Sequence, residues 1–156
     1  MEAKINIRKL DPYDLPAITK IANWYQEEWE TPKERTISRL TNQPSEDVLF
    51  QLVLSLDGVV VGSGGVGNEV SIFREYENLR IYQPWVALLY IDEDYRNRGF
   101  GKMLLDEIEN CARQQQLEKL YLYTFTAESL YKKCGWKEIE RVIYKGHDTV
   151  VMEKEI

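Results

Sequence analysis

From Phe50 to Leu56 every second residue is a large apolar one. Phe50, Leu52, Leu54 and Leu56 alternate with Gln51, Val53 and Ser55, which predicts a half-buried strand. Asp57-Gly58 is the dipeptide of a two-residue hairpin, and V-V-V-G-S-G-G-V returns as the partner strand. Upstream the period lengthens. Leu15, Ile18, Ala22, Tyr25 and Trp29 recur at helical spacing behind D-P-Y-D-L-P, predicting a helix with Asp11 as N-cap and Pro12 at its first position. T-P-K-E-R-T-I-S-R-L opens a second helix in the same way, with Thr31 as cap and Pro32 behind it, and I-N-I-R-K-L precedes both as a short first strand.

Downstream, Trp85 to Ile91 is apolar almost throughout, the mark of a central strand covered on both faces. Phe100, Leu104, Ile108 and Cys111 form the stripe of another helix. K-L-Y-L-Y-T reads as a strand, A-E-S-L-Y-K-K-C as a short helix closed by Gly135, and two last strands flank the turn at Lys145-Gly146. The order β-α-α-β-β-β-α-β-α-β-β joins an antiparallel hairpin to a β-α-β centre, so the expected class is α/β (α+β) with a mixed sheet. At 156 residues the chain suffices for one domain with a core, taken as residues 1–156.

Charge narrows the field. The formal net charge is -6, which argues against an evenly basic surface for nucleic acid or membrane. No apolar run approaches the roughly 20 residues that span a bilayer, and M-E-A-K-I-N-I-R-K-L has no signal-peptide core. Cys111 and Cys134 have no metal or redox spacing; free thiols in the cytoplasm and no metal are expected.

Against that background D-Y-R-N-R-G-F-G-K-M-L-L, residues 94–105, gathers Arg96, Arg98 and Lys102 around two glycines at a helix start. Unpaired backbone N–H groups and the helix dipole favour an anion there, and glycine allows close approach. A dinucleotide fingerprint is excluded because position 104 is Leu, and a Walker A loop because Met103 follows Lys102. A helix that simply begins at a glycine-rich turn is the plain alternative.

A third pattern fits. Arg96-x-x-Gly99-x-Gly101, after an apolar strand, resembles the acyl-coenzyme A signature of the GNAT N-acetyltransferase superfamily. T-F-T-A-E-S-L-Y-K-K-C-G-W resembles a second family motif: Ala127, Leu130, Tyr131, Gly135 and Trp136 match in order and spacing, with Thr124 where Asn is usual. The resemblance covers nearly the whole chain and implies a mostly antiparallel sheet with helices on both faces. Tyr144, Gly146, Val151 and Met152 are similar to the ending of a bacterial subset of unassigned substrate.

The resemblance implies acetyl-coenzyme A as co-substrate. Its pyrophosphate would lie on Arg96, Asn97, Arg98, Gly99, Phe100, Gly101 and Lys102, and its pantetheine arm along Leu89, Tyr90 and Ile91 with a hydroxyl contact from Thr124. Tyr131 would protonate the leaving thiolate, and a backbone N–H within Leu89 to Ile91 would receive the oxyanion. Many relatives place a Glu where this chain has Leu88, so the base is not readable; Glu27, Glu28, Glu69 and Glu128 are candidates that also read as surface carboxylates. His147, beside a turn, is given no role. Trp24, Glu28 and Trp29 fall where relatives build the acceptor cleft, although Trp29 and Tyr25 equally suit a core. The expected function is transfer of acetyl to a primary amine, small or at a peptide end, by direct attack in a ternary complex, by a monomer or homodimer. A non-catalytic acyl-coenzyme A binding module is the second reading. A nucleic-acid binder built on Arg96 and Arg98 is the third, opposed by the acidic charge.

Overall fold

The computed structural model describes residues 3–156. Its elements follow the expected order: β1 (Ile5–Lys9), α1 (Leu15–Trp29), α2 (Lys33–Thr41), β2 (Val48–Leu56), β3 (Val59–Gly67), β4 (Trp85–Ile91), α3 (Phe100–Gln114), β5 (Lys119–Thr124), α4 (Glu128–Lys133), β6 (Lys137–Tyr144) and β7 (His147–Glu155). The strands form one seven-stranded sheet, β1-β2-β3-β4-β5-β7-β6. Every pairing is antiparallel except β4 with β5. Among the described residues no helix is long and apolar enough to cross a membrane.

Two helix starts differ from the sequence reading. α1 is capped by Asp14, whose side chain accepts from the Ala17 N–H at 3.2 Å, with Pro16 in the first turn. Asp11 instead closes a turn before the helix, accepting from the Tyr13 N–H at 2.8 Å. Both aspartates precede a proline two or fewer residues away, and the second one wins because the apolar stripe begins only at Leu15. At the other end Glu30 turns left-handed (φ 57), its N–H bonds the Gln26 carbonyl, and the Thr31 N–H reaches back to the Tyr25 carbonyl, a left-handed helix exit. Thr31 therefore belongs to the end of α1. α2 starts on Pro32 with no side-chain cap.

β2 also departs from expectation. Gln51 is 1% exposed and Val53 and Ser55 are buried as well, because α1 and α2 cover the face that alternation left polar. Val53 packs with Ile18, Ile21, Trp24, Tyr25 and Leu40 beneath those helices. On the opposite face α3 lays Phe100, Leu104, Ile108 and Cys111 against β2, β3 and β5, as its stripe predicts. Each fully buried Ile or Leu contributes about 1.5–3 kcal/mol. A third cluster holds Ile72, Phe73 and Leu79 from two short 3-10 turns, Ser71–Arg74 and Glu77–Ile81, against Trp85, Tyr144 and Val151. The sequence pattern assigned no element to that segment.

Two irregularities in β4 shape the centre. Parallel pairing to β5 is confined to Trp85 opposite Tyr121, so the two strands part toward their C-terminal ends. On the other side, register with β3 steps from Ser63–Tyr90 to Gly65–Ala87, which places one extra residue on β4. That bulge contains Leu88 at φ 61, a conformation that costs a non-glycine residue about 1–3 kcal/mol.

Candidate active site at the parting of two strands

The gap between β4 and β5 leaves the backbone from Leu89 to Ile91 without a ladder partner on the β5 side. Leu89 and Ile91 face the α3 cluster, while Leu88 and Tyr90 face α1. The Leu88 carbonyl accepts from the Tyr25 hydroxyl. This strand end is followed by a 3-10 turn, Glu93–Tyr95, and then by the glycine-rich turn into α3.

In that turn Asn97 (φ 64) and Gly99 (φ 82) are left-handed. Asn tolerates this conformation better than most side chains, and Gly freely. Gly99 is the N-cap of α3 and offers no capping side chain, so the first amides of the helix point outward unclaimed. A Cβ at Gly101 would meet only Ile91 Cγ1 at 3.9 Å, and one at Gly99 nothing within 4 Å. A Cβ at Gly67, by contrast, would collide with the Asp47 carbonyl oxygen. Protein packing thus requires glycine at 67 but leaves space over 101, the space a phosphate would occupy.

The three cations of the turn are engaged differently. Arg96 folds back, donating from Nε to the Ile91 carbonyl at 2.9 Å and lying 5.1 Å above the Tyr90 ring. Arg98 lies over Tyr95 at 5.3 Å. Lys102 pairs with Asp106 at 2.8 Å, a hydrogen bond that raises its ammonium pKa; its charge is already partly offset.

Across the gap, Thr124 ends β5. Its Oγ1 accepts from the Thr126 and Ala127 N–H groups at 3.3 and 3.1 Å, fixing the entry to α4 and leaving the hydroxyl proton to donate. α4 carries Tyr131, half-buried edge-on to Trp136 at 6.3 Å and packed on the cluster that contains Phe100. Burial, and secondarily the neighbouring Cys134, push the Tyr131 phenol above its ordinary pKa. Among the described residues its hydroxyl has no hydrogen-bond partner.

The end of α1 closes the other side. Trp24 stacks on Tyr90 (5.3 Å, 29°), and Trp29 stacks on Tyr25 (4.8 Å, 28°) with its edge toward Tyr90. Trp24, 8% exposed, is a core residue beneath the helices rather than an open acceptor surface, whereas Trp29, at 40%, presents a face to solvent. Glu28 is exposed and adds to the upward shift that burial gives the Tyr90 phenol. Of the other carboxylates, Glu69 pairs with Arg80 at 2.6 Å, and Glu128 pairs with Arg141 and Lys132 at 2.7 and 2.9 Å. Those hydrogen bonds hold the Glu128 carboxyl below its usual range, Arg141 most. Glu27 and Glu28 form no ion pair among the described residues. His147 stacks flat on Phe125, 4.0 Å apart.

Leu89–Ile91 and the glycine turn thus lie at the C-terminal end of β4, Thr124 at the end of β5 and Tyr131 on the α4 that follows, packed on the same cluster as Leu89 and Ile91; Trp24 and Trp29 pack on Tyr90, with Glu28 close by. Sequence reasoning missed the polar residues beneath β4, Gln51 and Ser63; a Gln and a Ser inside otherwise apolar strands were the available signal. Among the described residues no three His, Cys, Asp or Glu side chains gather as a metal site.

Comparison with known proteins decides the family. The profile of the acetyltransferase (GNAT) family matches residues 17–136, from α1 to Trp136. The chain belongs to that family. Membership makes it an acyl-coenzyme A-dependent N-acetyltransferase. The spermine/spermidine N(1)-acetyltransferase of Bacillus subtilis is 28% identical over 106 residues, 64% of this chain and 67% of that one. Two solved structures share the fold. Ribosomal-protein-alanine N-acetyltransferase from Brucella melitensis has a TM-score of 0.74 and 23% identity, covering 97% of this chain and 99% of its own. The PaiA N-acetyltransferase of Thermoplasma acidophilum, in complex with coenzyme A, has a TM-score of 0.68 and 22% identity over 98% and 99%. This GNAT chain thus shares the fold of those structures, and the family match spans both stretches singled out in its sequence, residues 94–105 and 124–136.

Proposed function

We propose that residues 1–156 form one N-acetyltransferase domain that moves acetyl from acetyl-coenzyme A to a primary amine by direct attack in a ternary complex. The observation that carries this reading is the parting of β4 from β5 beside unclaimed α3 amides. Free backbone lies along one wall, an anion cradle at one end and a lone phenol opposite. Acetyl-coenzyme A supplies the activated acyl carbon, as a thioester that an uncharged amine attacks.

The amides of Gly99, Phe100, Gly101 and Lys102 hold the pyrophosphate, with Arg96, Asn97 and Arg98 around them. Leu89, Tyr90 and Ile91 bind the pantetheine arm by backbone hydrogen bonds, and Thr124 donates its remaining proton to it. A backbone N–H at the bulge receives the carbonyl oxygen as charge develops there. The new N–C bond replaces the C–S bond, and Tyr131 gives its proton to the departing sulfur. A phenol is protonated at neutral pH, and burial shifts this one further in the same direction. Glu28, exposed and unpaired, takes the amine proton through water. Trp29, the exposed ring of the Trp24–Trp29–Tyr90 group, suits a cationic alkyl amine beside Glu28, and the spermine/spermidine enzyme among the relatives acts on such amines. The two free thiols suit the cytoplasm.

Leu88 leaves β4 without a carboxylate at that position, and an acyl-coenzyme A binding module without turnover is the second reading that the test must exclude. A thiol-release assay over a panel of spermidine, simple alkyl amines and N-terminal peptides separates the two. Release with at least one amine supports transfer; acetyl-coenzyme A binding with no release from any amine supports the module.

A further inference from the structure

Beneath the bulge of β4 lies a buried polar chain that the transfer chemistry does not use. Ser63 on β3, Gln51 on β2 and Tyr25 on α1 are each at most 1% exposed. Tyr25 Oη donates to the Leu88 carbonyl, and Ser63 Oγ donates to the Leu52 carbonyl at 2.8 Å. Each hydroxyl has a single proton, so toward Gln51 both can only accept. Gln51 Nε2 supplies both bonds, to Ser63 Oγ at 2.8 Å and to Tyr25 Oη at 3.3 Å. The amide orientation follows without choice. It leaves Gln51 Oε1 buried and without a partner.

The sheet is shaped for the residue this chain supports. Leu88 holds a left-handed φ of 61, and its carbonyl is turned to α1. Opposite the bulge stands Gly64, where a Cβ would come within 3.3 Å of Leu89 Cα. We propose that Ser63, Gln51 and Tyr25 are positioning residues: they clamp the Leu88 carbonyl out of the ladder and so fix where the Leu89–Ile91 N–H groups point. Burial pushes the Tyr25 phenol far above its ordinary pKa, so it donates at every working pH. Without the clamp the Leu88 peptide is free to rotate back toward β3, carrying the following N–H groups away from the gap.

This rests on the reading of β4 as the catalytic strand, so the test needs one readout that turnover does not supply. Tyr25→Phe, Gln51→Leu and Ser63→Ala are compared with Val53→Ala, which trims the same cluster without touching the chain of bonds. Backbone amide shifts of Leu89, Tyr90 and Ile91 are recorded by NMR, beside kcat, the KM for acetyl-coenzyme A and Tm. The expected order of effect is Tyr25→Phe, then Gln51→Leu, then Ser63→Ala. For the first, all three amides shift and kcat falls about tenfold, the size of one lost hydrogen bond. Val53→Ala should lower Tm and leave the amides and kcat in place. Unmoved amides in Tyr25→Phe, or equal shifts in Val53→Ala, overturn the proposal. If Tyr25→Phe does not fold, Gln51→Leu carries the same comparison. A wild-type protein inactive on every amine, but with the predicted amide shifts, would sink the transfer reading and leave the clamp standing.

Discussion

Arg96 and Ile91 are joined by a hydrogen bond from the guanidinium Nε to the strand carbonyl, 2.9 Å long. That bond ties the glycine turn to the end of β4, the two segments proposed to hold the pyrophosphate and the pantetheine arm. The charge of Lys102, in contrast, is shared with Asp106. Arg96→Ala should therefore weaken coenzyme A binding about tenfold, roughly 1.4 kcal/mol. Lys102→Ala should weaken it only about twofold, as expected for an exposed and already paired charge. Asp106→Asn should tighten it. Calorimetric titration at low and high salt checks the ranking, with all affinities falling as salt rises. Equal losses from Arg96→Ala and Lys102→Ala would remove the distinction.

Gly101 and Gly67 separate open space from packing space. A side chain at 101 meets only Ile91 Cγ1 at 3.9 Å, whereas one at 67 strikes the Asp47 backbone. Gly101→Val should keep its Tm within a few degrees and lose at least about tenfold in coenzyme A affinity. Gly67→Ala should do the reverse, destabilising the fold by about 1–3 kcal/mol as overpacking does. Thermal melts paired with titrations measure both. A folded Gly101→Val with wild-type affinity would move the phosphate site elsewhere.

Alkaline pH should unfold the protein progressively. Burial raises the Tyr25, Tyr123 and Tyr131 phenols above the ordinary value of 10.0, and the hydrogen bond to Glu140 helps push Tyr82 up to about 12. In the unfolded chain these groups ionise near pH 10. The folded state then binds more protons than the unfolded one, so stability falls as pH rises. It is fully present below pH 10 and is lost as pH climbs through the raised folded values. Urea melts from pH 8 to 11 should show a flat midpoint and then a fall. A midpoint that stays flat to pH 11 contradicts the burial of these phenols.

Periodicity made most of this architecture legible. The stripes Leu15–Trp29 and Phe100–Cys111 and the turns at Asp57-Gly58 and Lys145-Gly146 need only local information, and all four appear where the spacing puts them. The two motifs likewise located the glycine turn and Tyr131. Other features depend on what lies across the fold. Gln51 is buried because α1 and α2 happen to cover its face, and Thr31 closes one helix where its sequence suits the start of another. Nothing in Leu88 itself announces a left-handed residue; Gly64 opposite and Tyr25 behind are brought to the bulge only by the fold. Glu69 and Glu128 read as free carboxylates until the fold brings Arg80 and Arg141, 11 and 13 residues on, against them; only the Lys132 partner of Glu128, at i+4, is a local one.

Tyr131→Phe tests the account at its centre, because it deletes the proposed proton donor and keeps the ring that packs on Trp136. With a reactive amine at saturation, and under conditions where chemistry limits the rate, kcat should fall by roughly 10² or more, the scale of general acid catalysis. Acetyl-coenzyme A affinity should stay near wild type. The Tm should move little, since among the described residues the hydroxyl has no partner to lose and contributes at most about 1 kcal/mol. A turnover within about threefold of wild type would contradict acid catalysis at this position, and a large fall in Tm would show that the phenol supports the fold.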